Sequence, residues 1–327
     1  MKYTSCFDHN GIIVVTGATG WVGKNFISEL QNILPPKTLG SKLKLFSSRP
    51  GYLILPSMTF LPDGATVNLS QDILRVYSLS SLHELPASSQ VSTIFHTAFL
   101  TRDKIPEVGY SSYIQTNQWI TSQVVQALSC SPRTKVVNIS SGAAAVYDTQ
   151  CDPQAYLDVD PYGVLKHQDE VAFANLPNIS LNIRIYALSG KYMHHPQRFA
   201  LGSFLLSALK NNPIHIHSRA PVFRSYASAS DIARYALKLC CSDNDQDSKV
   251  ISAVSHTVSL LELANTITRM YCLPPPRCDV DDTLPPDSYI ADTKPFLNQM
   301  QLLGLQATAL EDQLEDTAKS LAHHLIA

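Results

Sequence analysis

Tyr162 and Lys166 stand four residues apart in the stretch DPYGVLKHQDE, a segment whose residues are typical of a helix. Positions i and i+4 of a helix share a face, so the lysine ammonium can lie close to the phenol. A free phenol has a pKa of about 10, and a nearby positive charge stabilises the phenolate and lowers that pKa. Such a tyrosine takes a proton from a hydroxyl group or returns one. The alternative is an exposed helix pair of little energetic weight, and the pair alone does not decide.

A glycine-rich segment, TGATGWVG, follows a β-branched apolar run and precedes a helical pattern. It places Gly17, Gly20 and Gly23 at a junction where backbone N–H groups and the positive helix end face one point. A pyrophosphate fits there when no Cβ stands in its way. The third glycine lets the helix pack closely on the strand. A tight turn would need only one glycine, so the three together indicate a dinucleotide site.

The residues after the second predicted strand bear on which dinucleotide binds. An acidic residue there would accept a hydrogen bond from the ribose 2′-hydroxyl and favour NAD. The sequence instead has Ser47, Ser48 and Arg49. A guanidinium pairs with a 2′-phosphate and hydroxyls add hydrogen bonds, so the segment favours NADP(H), with NAD as the alternative. The competing interpretation is that Arg49 is a solvated loop residue.

Strand and helix patterns alternate along the first half of the chain. Strands are predicted at GIIVVTG, KLKLFSS, ILRVYSL, VSTIFHTAF, KVVNISS and, later, ISLNIRIYALSG. The helical patterns include WVGKNFISELQNIL and YIQTNQWITSQVVQALS. This alternation predicts an α/β fold of Rossmann type, a doubly wound parallel sheet with helices on both faces. Residues 1–190 would form this dinucleotide-binding domain. Residues 191–327 would form a smaller substrate-binding domain, some of whose elements return to the first.

Composition excludes several classes of function. Apolar residues make up 45% of the 327 residues and charged residues 16%. The net charge is −2, so the protein has no net positive charge that would attract nucleic acid. No apolar run is long enough to span a bilayer, and we expect no membrane partner. The N-terminus lacks an apolar signal region, and the seven cysteines are an odd number without paired metal-site spacing. We therefore expect a cytoplasmic protein with free thiols and no metal.

These segments resemble, in order, the motifs of the extended short-chain dehydrogenases/reductases, also called the NAD-dependent epimerase/dehydratase family. TGATGWVG looks like the family's glycine motif, and TIFHTAFL, with His96 and Ala98, is similar to its fourth-strand motif. VVNISSGAAAVY resembles the fifth-strand serine motif, and Tyr162 and Lys166 match the YxxxK pair. RSYASASDIA is like a further family segment. The matches run from about residue 11 to the C-terminus, and together they are specific.

The resemblance implies an enzyme that transfers hydride between NAD(P) and a carbinol or carbonyl carbon of a small molecule, expected to be a nucleotide-linked sugar. Tyr162 would carry the proton, Lys166 would hold the cofactor ribose, and Ser141 would donate to the substrate oxygen, with Ser140 as the alternative serine. A homodimer is usual for the family. The implied cofactor-binding residues are Gly17, Thr19, Gly20, Trp21, Val22, Gly23, Ser48, Arg49, Ser78, Leu79, Thr97, Ala98, Phe99, Asn117, Ser140, Lys166, Tyr186 and Leu188. The implied substrate-binding residues are Thr101, Gly142, His194 and Arg224.

Some residues depart from the family pattern. Phe99 stands where a small alanine is usual, beside the nicotinamide or substrate, and Ser78 stands where an aspartate commonly touches the adenine. Gly142 and Ala143 follow the serine where dehydratases of this type have Asp-Glu. That difference disfavours a dehydratase. Reduction of a carbonyl, epimerisation with retained cofactor, and a non-catalytic NAD(P)-binding sensor stay open, although a sensor would not need the Tyr-Lys pair.

Three further side chains have alternative interpretations. His96 is expected to be structural and to steady the end of its strand near the cofactor. Arg224 either clamps a substrate phosphate or forms a surface ion pair with a carboxylate such as Asp231, and the sequence favours neither reading. His194 lies in a loop expected to border the substrate, although a loop histidine is more often solvated.

Overall fold

The computed structural model describes residues 11–55, 57–67, 72–85, 91–242 and 248–326. In these ranges the strands are β1 (Ile12–Thr16), β2 (Leu43–Ser47), β3 (Gly51–Ile54), β4 (Thr59–Pro62), β5 (Ile73–Ser78), β6 (Val91–His96), β7 (Lys135–Ser141), β8 (Ser180–Ile185), β9 (Ala187–Ser189), β10 (His215–Ile216), β11 (Val222–Ser228), β12 (Lys249–Ala253), β13 (His256–Ser259), β14 (Arg277–Cys278) and β15 (Asp287–Tyr289). The helices are α1 (Trp21–Ile33), α2 (Pro36–Lys42), α3 (Ile105–Val108), α4 (Tyr110–Ser129), α5 (Pro161–Ala174), α6 (Ala200–Leu209), α7 (Ala229–Cys240), α8 (Leu260–Met270), α9 (Lys294–Leu302) and α10 (Leu310–Ile326).

The largest sheet in the described residues has nine strands in the order β12-β8-β7-β6-β1-β2-β5-β3-β4. Pairing is parallel from β7 through β6, β1 and β2 to β5. The chain leaves β1 for β2 on one side and later returns to β6 on the other side. The carboxyl ends of β1 and β6 therefore flank a topological switch point, where doubly wound sheets bind ligands. The predicted α/β fold with a large parallel sheet is confirmed.

The central strands are apolar along their whole length because both faces of the sheet are covered. Ile13, Val14 and Val15 are all buried in β1. One hydrophobic cluster joins Val14 of β1 and Ile94 of β6 to Val124 of α4 and Phe173 of α5. Burial on both faces explains why these strands show no alternation of polar and apolar residues. The same packing carries α4 and α5 against the sheet.

Two short strands between β2 and β5 were not predicted from the sequence. β3 pairs antiparallel with both β5 and β4, so the parallel sheet gains an antiparallel edge. At Gly51 an added Cβ would lie 2.2 Å from the carbonyl oxygen of Leu61, which shows how closely the two backbones approach. The segment ISLNIRIYALSG, predicted as one strand, is divided into β8 in the large sheet and β9, which pairs with β11 in another sheet.

Contacts divide the chain into two units. The first extends to Arg184 and also takes in Ala236–Ile251, and the second comprises Ile185–Tyr235 and Ser252–Ala327. In the second unit, β11 pairs antiparallel with β13 and parallel with β9 and β15. There the Ser189 hydroxyl lies 2.6 Å from Gln313 Oε1 of α10, which joins that helix to β9. Over the described residues, no helix combines the length and the apolarity that crossing a bilayer requires.

Candidate active site

The glycine turn lies between β1 and α1 in the first unit. Gly17 has a φ of +68°, and a Cβ on it would lie 2.6 Å from the amide nitrogen of Ala98. A Cβ on Gly23 would lie 2.3 Å from the carbonyl oxygen of Gly17. Both positions therefore need glycine for reasons internal to the protein: a left-handed backbone at Gly17 and close helix–turn packing at Gly23.

Gly20 is different, because its backbone conformation does not require glycine and an added Cβ would make one close contact. Its φ of −80° and ψ of 170° suit any residue. A Cβ on it would meet only the Gly17 carbonyl oxygen, at 3.2 Å. Gly20 precedes the first residue of α1, whose first turn contains no acidic residue and has no side-chain cap. A glycine at the N-terminal end of a helix without an acidic residue or a side-chain cap is the arrangement that binds a phosphate group.

Replacing Gly20 with alanine tests this cradle. We expect G20A to fold with nearly unchanged stability and to lose about tenfold or more in dinucleotide affinity, because the methyl group occupies the phosphate's approach. Calorimetric titration with NAD(P) and a thermal melt measure the two quantities. Gly40→Ala is the matched control, since a Cβ there has no atom within 4 Å. Equal dinucleotide affinity of G20A and G40A would contradict the assignment.

The end of β2 contacts the glycine turn through two hydroxyl groups. The side chains of Thr19 and Ser47 lie 3.0 Å apart in a hydrogen bond. Ser48 and Arg49 follow and are exposed. Arg49 forms no hydrogen bond or ion pair with any residue in the described ranges, so its guanidinium is available to an anionic ligand.

The end of β6 is joined to β1 by two side chains. The Thr97 hydroxyl donates to the carbonyl oxygen of Thr16 at 2.7 Å. The His96 Nδ1 lies 2.8 Å from the Thr16 hydroxyl. Burial, with the Lys166 charge as a smaller cause, lowers the pKa of His96 to about 3. The ring is therefore neutral at physiological pH and holds the two strand ends together.

Two residues that were implied as cofactor ligands use their side chains inside the protein. Asn117 is buried; its Oδ1 accepts from the Leu100 amide at 2.7 Å and its Nδ2 donates to the Leu100 carbonyl at 3.1 Å. The side-chain amide of Asn117 therefore holds the loop that follows β6 in place. Leu79 packs in the hydrophobic core with Phe46 and Ile94. Both side chains therefore have partners inside the protein.

The two serines at the end of β7 have different partners. The Ser140 hydroxyl donates to the buried Glu170 Oε1 at 2.5 Å, so its hydrogen is already used in a hydrogen bond inside the protein. The Ser141 side chain is hydrogen-bonded to Tyr162. It also accepts from the Ala143 amide at 3.2 Å, at the start of a short 3₁₀ segment. Ser141 is thus the serine at the tyrosine hydroxyl, and Ser140 is part of a structural network.

Tyr162 lies in the first turn of α5, whose N-cap is Asp160. The Asp160 carboxylate accepts from the Gly163 amide at 3.3 Å, which begins the helix. Burial raises the pKa of Tyr162; the hydrogen bond with Ser141 and the charge of Arg102 lower it, and the charge of Asp160 raises it. Since burial dominates, the phenol is protonated in this state and is ready to donate.

The Lys166 ammonium contacts two groups from other segments of the first unit. It donates to the carbonyl oxygen of Ile139 at 2.8 Å and lies 3.7 Å from the centre of the Phe99 ring. Burial lowers the pKa of Lys166 to about 8, against the raising effects of Asp169 and Glu170. The pKa of Tyr162 is raised and not lowered as expected, because burial is the largest of its causes.

The comparison with known families decides the identification. Residues 13–253 match the NAD-dependent epimerase/dehydratase family. The chain belongs to this family. The expectation of an NAD-dependent enzyme of the family is confirmed by that match. No curated protein matches the chain.

Solved structures share the fold of this family member. MoeE5 in complex with UDP-glucose and NAD is 23% identical with a TM-score of 0.69, over 96% of this chain and 100% of that one. The UDP-N-acetylglucosamine 4-epimerase of Methanobrevibacter ruminantium M1, in complex with UDP-N-acetylmuramic acid, is 16% identical with a TM-score of 0.69, over 99% and 100%. The UDP-glucose 4-epimerase of Thermotoga maritima is 16% identical with a TM-score of 0.68, over 96% and 99%.

Several implied ligand residues of this family member belong to the second unit. Arg224 of β11 forms an ion pair with Asp287, with Nη2 and Oδ2 2.7 Å apart; the carboxylate is not Asp231, which the sequence analysis named as an example of a partner. Asp231 is fully buried and accepts from the Thr308 amide at 2.8 Å. His194 is exposed. Two implied cofactor-binding residues also belong to the second unit. They are Tyr186, whose ring centre lies 4.7 Å from that of Tyr289, and Leu188 of β9.

Sequence reasoning missed two charged residues at the tyrosine. Arg102 follows the predicted Thr101, and its guanidinium lies 5.1 Å from the centre of the Tyr162 ring. It donates to Asp160 Oδ1 at 2.9 Å. An aspartate directly before a proline that opens a helix is an N-cap signal, so Asp160 could have been found. Arg102 carries no such local signal, because its position depends on how the loop after β6 folds.

Proposed function

We propose that the protein transfers hydride between NAD(P) and a carbinol or carbonyl carbon of a nucleotide-linked sugar, with Tyr162 as the acid and base. The observation that carries the proposal is the hydrogen bond between Tyr162 and Ser141 at the carboxyl end of β7. The glycine turn belongs to the same sheet edge, at the end of β1. Structures with the same fold are described as complexes with UDP-sugars and NAD, which supports this class of substrate.

The residues of the chain have separate tasks in this reaction. The bound nicotinamide would supply the hydride acceptor or donor. Ser141 donates to the substrate oxygen and fixes its position, as an oxyanion donor does. Tyr162 gives its proton to an alkoxide during reduction and takes one from a hydroxyl during oxidation. Lys166 would hydrogen-bond the ribose hydroxyls of the cofactor, and Thr101 and Gly142 of the first unit are proposed contacts of the sugar nucleotide.

A panel experiment tests the proposal. The purified protein is incubated with NAD(P)⁺ or NAD(P)H and UDP-linked sugars, while the reduced nicotinamide is followed by absorbance and the sugars by NMR. A stoichiometric change in free cofactor shows net oxidation or reduction, whereas interconversion of two sugars without such a change shows epimerisation with retained cofactor. Tight cofactor binding with no turnover on any nucleotide sugar would refute the proposed substrate class.

Arg49 carries the proposed preference for NADP over NAD. Its exposed guanidinium follows β2 and has no partner among the described residues, so it can pair with a 2′-phosphate. We expect R49A to weaken NADPH binding about tenfold and to leave NADH binding within about twofold, because an ionic hydrogen bond contributes about 1.5 to 3 kcal/mol. Fluorescence titration with each cofactor measures both constants. Equal losses for the two cofactors would show that Arg49 does not contact the phosphate.

The proposed assembly is a homodimer formed through α4 and α5. Each helix exposes a large apolar side chain: Trp119 in α4 is 43% exposed and Val171 in α5 is 44% exposed. Sedimentation of the wild-type protein and of a Val171→Asp variant tests this face. A monomeric wild-type protein at micromolar concentration would refute it.

A further inference from the structure

A small cavity lies between α2, the start of β2 and the strand β5, all in the first unit. Its volume is about 220 Å³. The side chains that line it include those of Lys37, Leu43, Lys44, Ile73, Arg75 and Tyr77. At its other end, β2 meets the glycine turn through the hydrogen bond between Ser47 and Thr19. Three residues of strand separate Lys44 from Ser47, which is about 10 Å along the backbone, so the cavity starts at the opposite end of β2 from the dinucleotide turn.

Two of the three cations that line the cavity have no ionic partner in the described residues. The Arg75 guanidinium is paired with the Asp63 carboxylate, so its charge is already balanced. Lys37 is exposed and Lys44 is half-buried, and neither forms a hydrogen bond or an ion pair with a residue that the structure describes. None of the described residues that line the cavity carries a carboxylate. Two ammonium groups at one cavity repel each other, and an anion between them relieves that repulsion.

Tyr77 forms an aromatic wall of the cavity beside Lys44. It is 37% exposed, and its ring centre lies 5.9 Å from the Lys44 ammonium. The parallel pairing of β2 with β5 places Phe46 beside Tyr77, and the centres of these two rings are 5.7 Å apart. Because side chains alternate along a strand, Lys44 lies on the same face of β2 as Phe46. This face of the sheet therefore presents an ammonium group next to a partly exposed ring.

We propose that this cavity binds a small phosphate monoester whose organic part is a single ring or a short apolar chain. A phosphate monoester carries about 1.5 to 2 negative charges at pH 7 and has three acceptor oxygens, so it balances two ammonium groups where one carboxylate does not. Lysine binds phosphate as a point charge and needs no fixed geometry. The ring or chain packs on Tyr77. The volume is below about 300 Å³, the lower end for drug-sized ligands, which limits the size of the organic part.

Calorimetric titration of the whole chain with three probes tests the site. Saturating NADH is present throughout, so that the dinucleotide turn is occupied. We expect phenyl phosphate to bind with a dissociation constant below about 1 mM. Inorganic phosphate, which has the charge but no ring, should bind about tenfold more weakly, and benzyl alcohol, which has the ring alone, should show no binding. Added salt should weaken the binding of phenyl phosphate, because it screens exposed ammonium groups.

Variants of the lining residues locate the bound phosphate. K37Q and K44Q should each weaken the binding of phenyl phosphate about threefold to tenfold, and the double variant should remove measurable binding. R49Q is the matched control, because Arg49 is also a cation without a partner in the described residues but follows the other end of β2. It should leave this dissociation constant within about twofold of wild type. Y77A should weaken phenyl phosphate about fivefold to tenfold and leave inorganic phosphate within about twofold. Thermal melts check that each variant is folded.

Three outcomes overturn the inference. The first is a wild-type protein that shows no binding of phenyl phosphate up to about 10 mM. The second is a K37Q/K44Q protein that binds phenyl phosphate as tightly as wild type, which would place the phosphate elsewhere. The third is a loss of binding in R49Q equal to that in K44Q, which would assign the phosphate to the dinucleotide turn. None of these measurements involves turnover, so this inference and the proposed function can fail independently of each other.

Discussion

Tyr162→Phe should lower kcat by about 10²- to 10⁴-fold, the contribution typical of general acid–base catalysis. The dissociation constant for NAD(P) should change by less than about twofold, because the ring is kept and only the hydroxyl is lost. The physical reason is that the hydroxyl bonded to Ser141 is the proposed proton donor at the substrate oxygen. Steady-state turnover of a nucleotide sugar and fluorescence titration with the cofactor measure the two effects.

Tyr147→Phe is the matched control for this loss of a hydroxyl. Tyr147 is buried near the same helix start and donates to Asp160 Oδ2 at 3.1 Å. It has no hydrogen bond with Ser141 among the described contacts, so its kcat should stay within about threefold of wild type. A Y162F protein with full turnover, or one that binds no cofactor, would end the catalytic assignment.

Arg184→Met should destabilise the fold by about 3 to 5 kcal/mol, because it leaves a buried carboxylate without its partner. Arg184 and Glu170 are 8% and 5% exposed, and Nη2 of Arg184 lies 2.6 Å from Glu170 Oε2. The same guanidinium reaches Asp148 at 2.5 Å. The network joins β8, α5 and the segment after β7, so losing its cation affects the site as well as the core. Urea denaturation of both proteins gives the difference in unfolding free energy.

Two controls separate a buried charge from a surface pair. Arg75→Met removes an ion pair whose side chains are 36% and 45% exposed, and should cost about 0 to 1 kcal/mol. The double variant R184M/E170Q removes the stranded charge and should recover a large part of the loss. An R184M protein as stable as R75M would show that water reaches Glu170 readily.

Much of the fold could be predicted from local patterns. The run IIVVT followed by Gly17, Gly20 and Gly23 indicates strand, turn and helix within a few residues, and each glycine has a local reason. The antiparallel strands β3 and β4 could not be predicted in this way, because four-residue strands have little pattern of their own. They exist because β5 offers an edge for pairing.

The candidate site was predictable in its residue types but not in its contacts. Tyr162, Ser141 and the glycine turn were identified, and the structure joins the tyrosine to Ser141. The predicted direction of the Tyr162 pKa was wrong, because burial raises that pKa and the spacing of a lysine on a helix says nothing about burial. Arg102 was missed because its position depends on the fold of the loop after β6.

The sequence by itself determined the alternation of strands and helices, the dinucleotide turn and the helix that carries Tyr162, because each depends on residues adjacent along the chain. Only the tertiary structure decided which serine meets the tyrosine, which carboxylate pairs with Arg224 and which cation lies over the phenol. Those contacts join residues that are far apart in the chain. Which residues meet depends on how whole helices and strands pack together, and a local sequence pattern carries no information about that packing.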